Sequence, residues 1–323
     1  MSAAARRRMA RRALGAAGAL VLDRVAGEPP LPDALHPVAV LGRGIAALEG
    51  RIYDDRRAPG AVLTAAGVGA AGLAGAILRS PAAAGYVATS GRTLHDAATA
   101  VNDALAAGDL PAARHRLTHL VGRDPSDLDE AAIARAVVES VAENTTDAVV
   151  APALWTAAAG AVGAFVHRAA DTLDSMVGYR DARYQRFGTS AARLDDVLAW
   201  GPARATAVLV AVARPARAGA VWRTVRADAK RHPSPNAGVA EAAFAAALGV
   251  RLGGGENRYG EVVERRPELG DGRAPGPADI AGAVSLSRDV TWALAAVLAA
   301  AGAALLLTAR AAEPRTGGGR APG

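Results

Sequence analysis

Long apolar stretches without a charged residue recur in this chain, and they restrict its fold more than any other feature. Residues 61–78, 148–166 and 290–308 each contain 18 or 19 residues and no Asp, Glu, Lys or Arg. A membrane-spanning helix requires about 20 predominantly apolar residues. Three such stretches in 323 residues predict an all-α, polytopic membrane bundle, with residues 1–312 as one helical domain.

A fourth apolar stretch, residues 197–213, is weaker because it contains Pro202 and Arg204. An arginine within a span is expected to face the bundle interior or the membrane interface. Alanine favours insertion only weakly, so a buried helix of a soluble protein is the alternative for each stretch. Because several stretches recur, we expect a multi-pass location in the cell (inner) membrane, with the lipid bilayer as a partner.

The composition agrees with closely packed helices. Hydrophobic residues make up 51% of the chain but aromatic residues only 4%, and there are 36 glycines. Small residues allow helix backbones to approach one another in membrane bundles. The absence of cysteine excludes disulfides and thiolate nucleophiles. Although the net charge is +6, the basic residues are scattered and no nucleic-acid motif is present, so we expect no nucleic-acid partner.

Amphipathic segments between the apolar stretches predict helical loops. Apolar residues recur at helical spacing in residues 93–107, 111–121, 129–143, 221–231 and 237–250. A basic segment, residues 6–12, precedes a short apolar run and predicts an uncleaved first helix. No strand pattern is evident, and the Gly-, Arg- and Pro-rich residues 313–323 are expected to be disordered.

One glycine pattern resembles a dinucleotide-binding motif but has the wrong context. Gly67, Gly69 and Gly72 match G-x-G-x-x-G, yet they lie within an apolar helical stretch and not between a strand and a helix. Close helix packing is the better interpretation.

The first polar block is an acidic stripe. Glu139, Glu143 and Asp147 are spaced four residues apart, so a helix places them on one face, with Asn144 beside them. Because the stripe runs into an apolar stretch, unpaired acids there would be costly. Carboxylate and amide oxygens suit Mg²⁺; the alternative is a helix start with acids near its dipole.

The second block follows the same apolar stretch. Asp171 and Asp174 share a helix face, and Arg193 precedes the acidic pair Asp195 and Asp196. Tyr179 and Arg180 lie between these groups and are candidates for substrate or phosphate binding. A structural salt-bridge network is the alternative interpretation.

The third block contains the only lysine of the chain. Lys230, His232, Ser234 and Asn236 are phosphate-contacting residue types, and Pro233 and Pro235 stiffen the turn between them. An ordinary basic helix end is the alternative.

Read in order, these blocks resemble the adenosylcobinamide-phosphate synthase (CobD/CbiB) family of cobalamin biosynthesis. The resemblance extends from Asp23 to Asp289. Besides the blocks above, it rests on Gly27-Glu28-Pro29-Pro30, His36-Pro37-Val38, Gly42, Val121-Gly122-Arg123-Asp124, Ala134-Arg135, Ala151-Pro152, Tyr184, Phe187-Gly188, Pro202-Ala203-Arg204, Leu252-Gly253-Gly254 and Tyr259-Gly260. Asp171 departs from the family pattern, which has Asn at this position.

The resemblance implies an ATP-dependent amide ligation. Adenosylcobyric acid would be joined to (R)-1-amino-2-propanol phosphate, or a related phosphorylated amine, to give adenosylcobinamide phosphate. ATP and Mg²⁺ are the implied cofactors. The implied partners are the corrinoid, the phosphorylated amino alcohol and other membrane-bound late enzymes of the pathway. The candidate catalytic residues are Glu143, Asn144, Asp147, Asp174 and His232. The candidate substrate- or phosphate-binding residues are Tyr179, Arg180, Arg193, Lys230, Ser234 and Asn236, and the candidate metal ligands are Asp147, Asp174, Asp195 and Asp196.

The sequence is also compatible with two other functions. The aspartates also suggest a Mg²⁺-dependent membrane prenyltransferase, and a non-enzymatic membrane regulator related to the same family is the third possibility. One conflict concerns distance. If residues 148–166 form a continuous span, Asp147 and Asp171 lie about 35 Å apart, at about 1.5 Å per residue. They could then share a site only if the segment were re-entrant or steeply tilted; otherwise the two blocks serve different substrates.

Overall fold

The computed structural model describes residues 1–122, 124–179, 181–259 and 262–312, and these are almost entirely helical. The described helices are α1 (Ala3–Ala26), α2 (Pro37–Ile52), α3 (Arg57–Leu78), α4 (Pro81–Ala88), α5 (Gly91–Ala106), α6 (Leu110–Leu117), α7 (Glu130–Thr145), α8 (Ala151–Ala159), α9 (Ala161–Val177), α10 (Thr189–Ala213), α11 (Ala218–Asp228), α12 (Ala237–Leu248) and α13 (Pro277–Ala311). The predicted all-α class and the amphipathic helical loops are confirmed. The predicted disordered tail, residues 313–323, lies outside the described residues.

Among the described residues, a short pair of strands is a feature that the sequence pattern did not indicate. Strands β1 (Glu256–Tyr259) and β2 (Val262–Arg265) pair antiparallel, with Glu256 opposite Arg265. The strand sequences, Glu-Asn-Arg-Tyr and Val-Val-Glu-Arg, do not alternate apolar and polar residues, so the signal for a strand is missing.

Three described helices are long and apolar enough to cross a bilayer. They are α3, α10 and α13, and α3 and α13 contain the predicted stretches 61–78 and 290–308. Large apolar side chains project outward from both, including Leu73, Ile77, Val297 and Leu307. The weaker stretch, residues 197–213, lies in α10, with Pro202 buried inside the helix.

The prediction of one continuous span over residues 148–166 is wrong. A π-helical turn, Thr146–Val150, leads from α7 into α8, which ends at Ala159 and has Gly160 as its C-cap. Gly160 has φ +70°, a left-handed conformation that glycine adopts without steric cost. The chain reverses there, and Gly163 of α9 lies directly against Trp155 of α8. The segment is therefore a helical hairpin.

Glycines let α3 pack closely along α9. A Cβ on Gly75 would overlap the backbone at Ala161, and a Cβ on Gly67 would lie 3.1 Å from Leu173. Gly72 faces Val166, whereas Gly69 faces no atom within 4 Å. The G-x-G-x-x-G pattern thus serves helix packing, as the sequence context indicated.

The main apolar core lies where α5, α7, α12 and α13 meet. It includes Val101, Val137, Phe244 and Ile280, all fully buried. Helix α12 is buried on nearly all sides, which agrees with its high alanine content. This core supports the ends of the helices that carry the polar blocks.

Candidate active site

An acidic cavity of about 580 Å³ lies among α7, α9, α10 and the loop before α12. Its polar lining residues are Thr118, His119, Glu143, Asn144, Asp147, Asp171, Asp174, Ser175, Tyr179, Asp195, Asp196, His232, Ser234, Asn236 and Arg266. Residues from all three predicted polar blocks therefore converge on one cavity.

The helical hairpin of α8 and α9 is what brings the first two blocks together. Because α9 runs back along α8, Asp171 returns to the level of Asp147, and both line the acidic cavity. Burial raises the pKa of Asp147 well above its ordinary value, and the nearby carboxylates of Asp195, Asp171 and Glu143 raise it further. Such a group stays ionised only if a cation compensates the charge. The re-entrant alternative for this segment thus matches the structure.

The π-helical turn determines how the first block is presented. An extra residue in the turn widens α7 at its end, and such turns often occur at functional sites. Glu143 is exposed to the cavity and Asp147 half-buried, but Glu139 faces elsewhere. The Glu139 carboxylate accepts a hydrogen bond of 2.8 Å from the backbone N–H of Gly253. Two of the three acids in the predicted stripe therefore reach the cavity, and Glu139 stabilises a neighbouring loop.

Asp171 is held by an arginine on the same helix. The Arg168 guanidinium donates to Asp171 Oδ2 at 2.9 Å, and both side chains are mostly buried. The carboxylate that departs from the family pattern is therefore charge-compensated within its own helix.

His232 is fixed at the opposite wall of the cavity. Its side chain is 1% exposed and its Nε2 lies 3.5 Å from Glu241 Oε1 and next to the guanidinium of Arg266. The backbone N–H of Ser234 donates to Nδ1 at 3.0 Å. Burial and the charge of Arg266 lower the pKa of His232 to about 4, so the imidazole is neutral at neutral pH.

Ser234 and Asn236 each have a structural contact in addition to lining the cavity. Ser234 Oγ accepts hydrogen bonds from the backbone N–H groups of Asn236 and Ala237, which caps the start of α12. The Asn236 amide donates to the Asp196 carbonyl at 2.9 Å and accepts from Arg204 at 2.9 Å. The loop is therefore tied to α10 at the position of the acidic pair.

Two of the remaining candidates do not line the cavity. Arg193 and Lys230 are both exposed and are absent from its lining, so their roles stay predictions. Arg180 lies outside the described residues. Arg266 and His119 do line it, but neither belongs to a recognisable spacing pattern in the sequence, so their place in the site was not predicted.

The carboxylate oxygens of the cavity are suitable ligands for a hard cation such as Mg²⁺. The side chains alone, however, do not surround such a cation. All its acidic ligands are oxygen donors, which Mg²⁺ prefers. Among the described residues, no group of three or more His, Cys, Asp or Glu is gathered closely enough to hold a metal ion. Mg²⁺ is commonly bound by one or two carboxylates, with water and substrate phosphates completing its coordination. Asp147 with Asp174, Asp195 or Asp196 could provide that partial set.

Comparison with known proteins agrees with the arrangement of the motifs. Residues 16–287 match the protein family described as CobD/Cbib protein, and this region includes every residue that lines the acidic cavity. The chain belongs to the CobD/CbiB family. It is 49% identical over 301 residues to cobalamin biosynthesis protein CobD of Mycobacterium tuberculosis, which covers 89% of this chain and 95% of the relative.

Other members of the CobD/CbiB family show similar agreement. Proteins of the same name from Chromobacterium violaceum and Rhodobacter capsulatus are 43% and 42% identical, over 88% and 80% of this chain. They are covered over 94% and 88% of their own lengths. No solved structure matches the chain.

Proposed function

We propose that this chain is a membrane enzyme of cobalamin biosynthesis that forms an amide bond at the acidic cavity. The substrates are adenosylcobyric acid, ATP and (R)-1-amino-2-propanol phosphate or a related phosphorylated amine, and the product is adenosylcobinamide phosphate. The observation that carries this proposal is the convergence of three polar blocks on one cavity, in a chain related over 89% of its length to a cobalamin biosynthesis protein.

The chemistry accounts for the residue types. A carboxylate does not react with an amine until it is activated, so its oxygen first takes the γ-phosphoryl group of ATP and releases ADP. The amine nitrogen then attacks the acyl carbon, phosphate leaves, and the nitrogen loses a proton. Mg²⁺ held by Asp147 together with Asp174, Asp195 or Asp196, and by the substrate phosphates, would supply positive charge for the phosphoryl group. Asn144 and Glu143 lie beside these groups and position the reacting carboxylate.

His232 and Arg266 support the opposite wall. A neutral imidazole between Arg266 and Glu241 orients the guanidinium toward the cavity, where a negatively charged phosphate group is stabilised. Tyr179, Ser234 and Asn236 supply further polar contacts for the substrates.

The membrane location rests on the outer helices. Helices α3, α10 and α13 have the length and hydropathy of spans, and outward-facing apolar side chains on α3 and α13 match a lipid environment. We assign the chain to the cell (inner) membrane as a multi-pass protein, where other membrane-bound late enzymes of the pathway are accessible as partners.

A prenyltransferase is the second candidate, because aspartates from α9 and α10 do converge as a diphosphate–Mg²⁺ site requires. The test is a ligation assay with purified protein in nanodiscs. It contains adenosylcobyric acid, ATP, Mg²⁺ and a series of amines, and product is detected by mass spectrometry. We expect adenosylcobinamide phosphate only when ATP and the phosphorylated amine are present. Absence of any amide product, together with turnover of a prenyl diphosphate, would establish the second candidate instead.

A further inference from the structure

A second cleft lies outside the acidic cavity and contains two motifs to which the proposed function gives no role. This N-terminal cleft, of about 340 Å³, is lined by Glu28, His36, Val38, Ala39, Val87, Thr89, Ser90 and Arg168. Glu28 belongs to the Gly-Glu-Pro-Pro motif and His36 to the His-Pro-Val motif. The size of the cleft suits a small molecule and not a corrinoid.

The side chain of His36 has a buried ring nitrogen without a hydrogen-bond partner among the described residues. Among the described residues, its Nε2 has no hydrogen-bond partner although it is shielded from solvent. His36 stands at the N-cap of α2, but its side chain makes no capping bond. A buried polar atom without a partner is costly, and such an atom in a native structure calls for a ligand or another explanation.

The guanidinium of Arg168 is held by several hydrogen bonds, and one of its N–H groups remains available. Its Nε and Nη2 donate to the Ala88 carbonyl, Nη2 also donates to Ser90 Oγ at 3.0 Å, and Nη1 donates to Asp171. A guanidinium has five N–H groups, so one Nη1 hydrogen remains. Ser90 stands at the N-cap of α5 without a capping bond from its side chain, and its hydroxyl proton is available to a ligand.

We propose that the N-terminal cleft binds the phosphate of the phosphorylated amine substrate, through Arg168, Ser90 and His36 Nε2. The proposal rests on the proposed function for the identity of the amine. Three donors, one of them cationic, converge on the cleft, which is the chemistry that a phosphate monoester requires. The acidic cavity repels the same phosphate unless a cation intervenes, because six carboxylates line it.

The position of the cleft explains how it serves the reaction. Arg168 lines the cleft, Asp171 lines the acidic cavity, and their side chains form an ion pair of 2.9 Å, so the two sites are neighbours. Glu28, which is exposed at the cleft, provides a carboxylate for an ammonium group. A compact molecule with a phosphate at one end and an ammonium at the other matches this distribution of charge.

The test measures binding directly, without corrinoid or nucleotide, so that it does not depend on turnover. The full-length protein in detergent is titrated calorimetrically with 1-amino-2-propanol phosphate, with inorganic phosphate and with unphosphorylated 1-amino-2-propanol. We expect His36→Phe and Arg168→Gln to weaken binding of the two phosphate compounds about 10-fold or more, the loss of one charge-assisted hydrogen bond. His36→Gln, which retains a donor, recovers most of the affinity. Arg12→Gln is the matched control, because Arg12 also donates to a helix carbonyl, that of Ala158.

The outcomes separate the two proposals. Unchanged affinity for the phosphorylated amine in His36→Phe, while the wild type performs the ligation, overturns the cleft assignment and leaves the function intact. Loss of phosphate binding in His36→Phe, with no ligation by the wild type, supports the phosphate site and refutes the function. If ATP, titrated in the same way, is the only ligand whose affinity the variants weaken, the phosphate belongs to the nucleotide and the assignment to the amine is wrong. His36 is half-buried at a helix start, so its variants remain informative even if Arg168→Gln does not fold.

Discussion

Asp147 and Asp171 line the same cavity although a long apolar stretch separates them in the chain. The relationship depends on Gly160, where α8 ends and α9 begins in the opposite direction. A continuous helix would hold the two carboxylates at opposite ends of a span. The hairpin instead makes them electrostatic neighbours, and the combined site depends on that reversal.

The acidic residues of the cavity are expected to control turnover. Asp147→Asn and Glu143→Gln should each lower kcat by about 100-fold or more, because removing a group that stabilises transition-state charge costs a few kcal/mol. The ligation assay measures this, with Asp103→Asn on the exposed side of α5 as control. Near-normal turnover in both variants would exclude the proposed roles.

Gly160 should be sensitive to any side chain. Gly160→Ala places a Cβ on a backbone with φ +70° and ψ −147°, at a cost on the order of 1–3 kcal/mol. We expect a lower thermal unfolding midpoint in detergent and reduced turnover. Gly69→Ala is the matched control, because a Cβ there meets no atom within 4 Å and alanine favours a helix. Equal effects of the two substitutions would refute the special role of Gly160.

The loop before α12 is expected to act on ATP phosphates. His232→Ala removes the contact with Arg266 and should raise the KM for ATP, while Lys230→Gln tests whether an exposed charge beside the loop contributes. Both variants are assayed with phosphorylated and unphosphorylated amine and with varied ATP. If neither substrate shows a changed KM or preference, the loop only caps the helix.

Asp23 should make stability depend on pH. Its side chain is buried, one carboxylate oxygen has no hydrogen-bond partner among the described residues, and burial raises its pKa to about 6 from an ordinary 3.8. Because the pKa of Asp23 is higher in the folded state than in the unfolded state, the folded state favours the protonated carboxyl group. This contribution to the free energy of unfolding is fully present below pH 3.8 and is lost as the pH rises through about 6. Asp23→Asn should therefore gain stability relative to the wild type as the pH rises from about 3.8 to about 6, by at most about 3 kcal/mol, and the gain should stay constant at higher pH.

The measurement for Asp23 is the thermal unfolding midpoint of both proteins across that pH range. Asp127→Asn, at an exposed position, is the control and should leave the profile unchanged. A constant difference between Asp23→Asn and the wild type at every pH would show that Asp23 does not titrate in this range.

We expect the chain to reside in a membrane because α3, α10 and α13 have the length and composition of spans. Membranes of expressing cells are washed with alkaline carbonate. We expect the chain to remain in the pellet until detergent is added, because α3 and α13 are long and apolar enough to cross a bilayer. Release by carbonate alone would show that these helices do not cross the bilayer.

Much of the fold was predictable because its signals are local. The periodicity of apolar residues indicated the helical loops, and charge-free stretches indicated α3 and α13. The helix context of Gly67 also indicated packing and not dinucleotide binding. The prediction of one span over residues 148–166 was wrong because an Ala-rich apolar run is equally compatible with one helix and with two helices packed on each other. Gly160 is one glycine among 36, and composition does not reveal which of them takes a left-handed conformation.

The sequence by itself determined the helical class, the polar blocks and the membership of a family, since each depends on residue types and their order along the chain. Only the tertiary structure decided which blocks share a cavity. It separated Glu139 from Glu143, left Lys230 and Arg193 outside the cavity, and added Arg266 from a segment without a motif. The physical reason is that distance in the chain does not limit distance in space once a helix reverses. The meeting of Asp147 with Asp171, and of His36 with Arg168 at the N-terminal cleft, is set by packing.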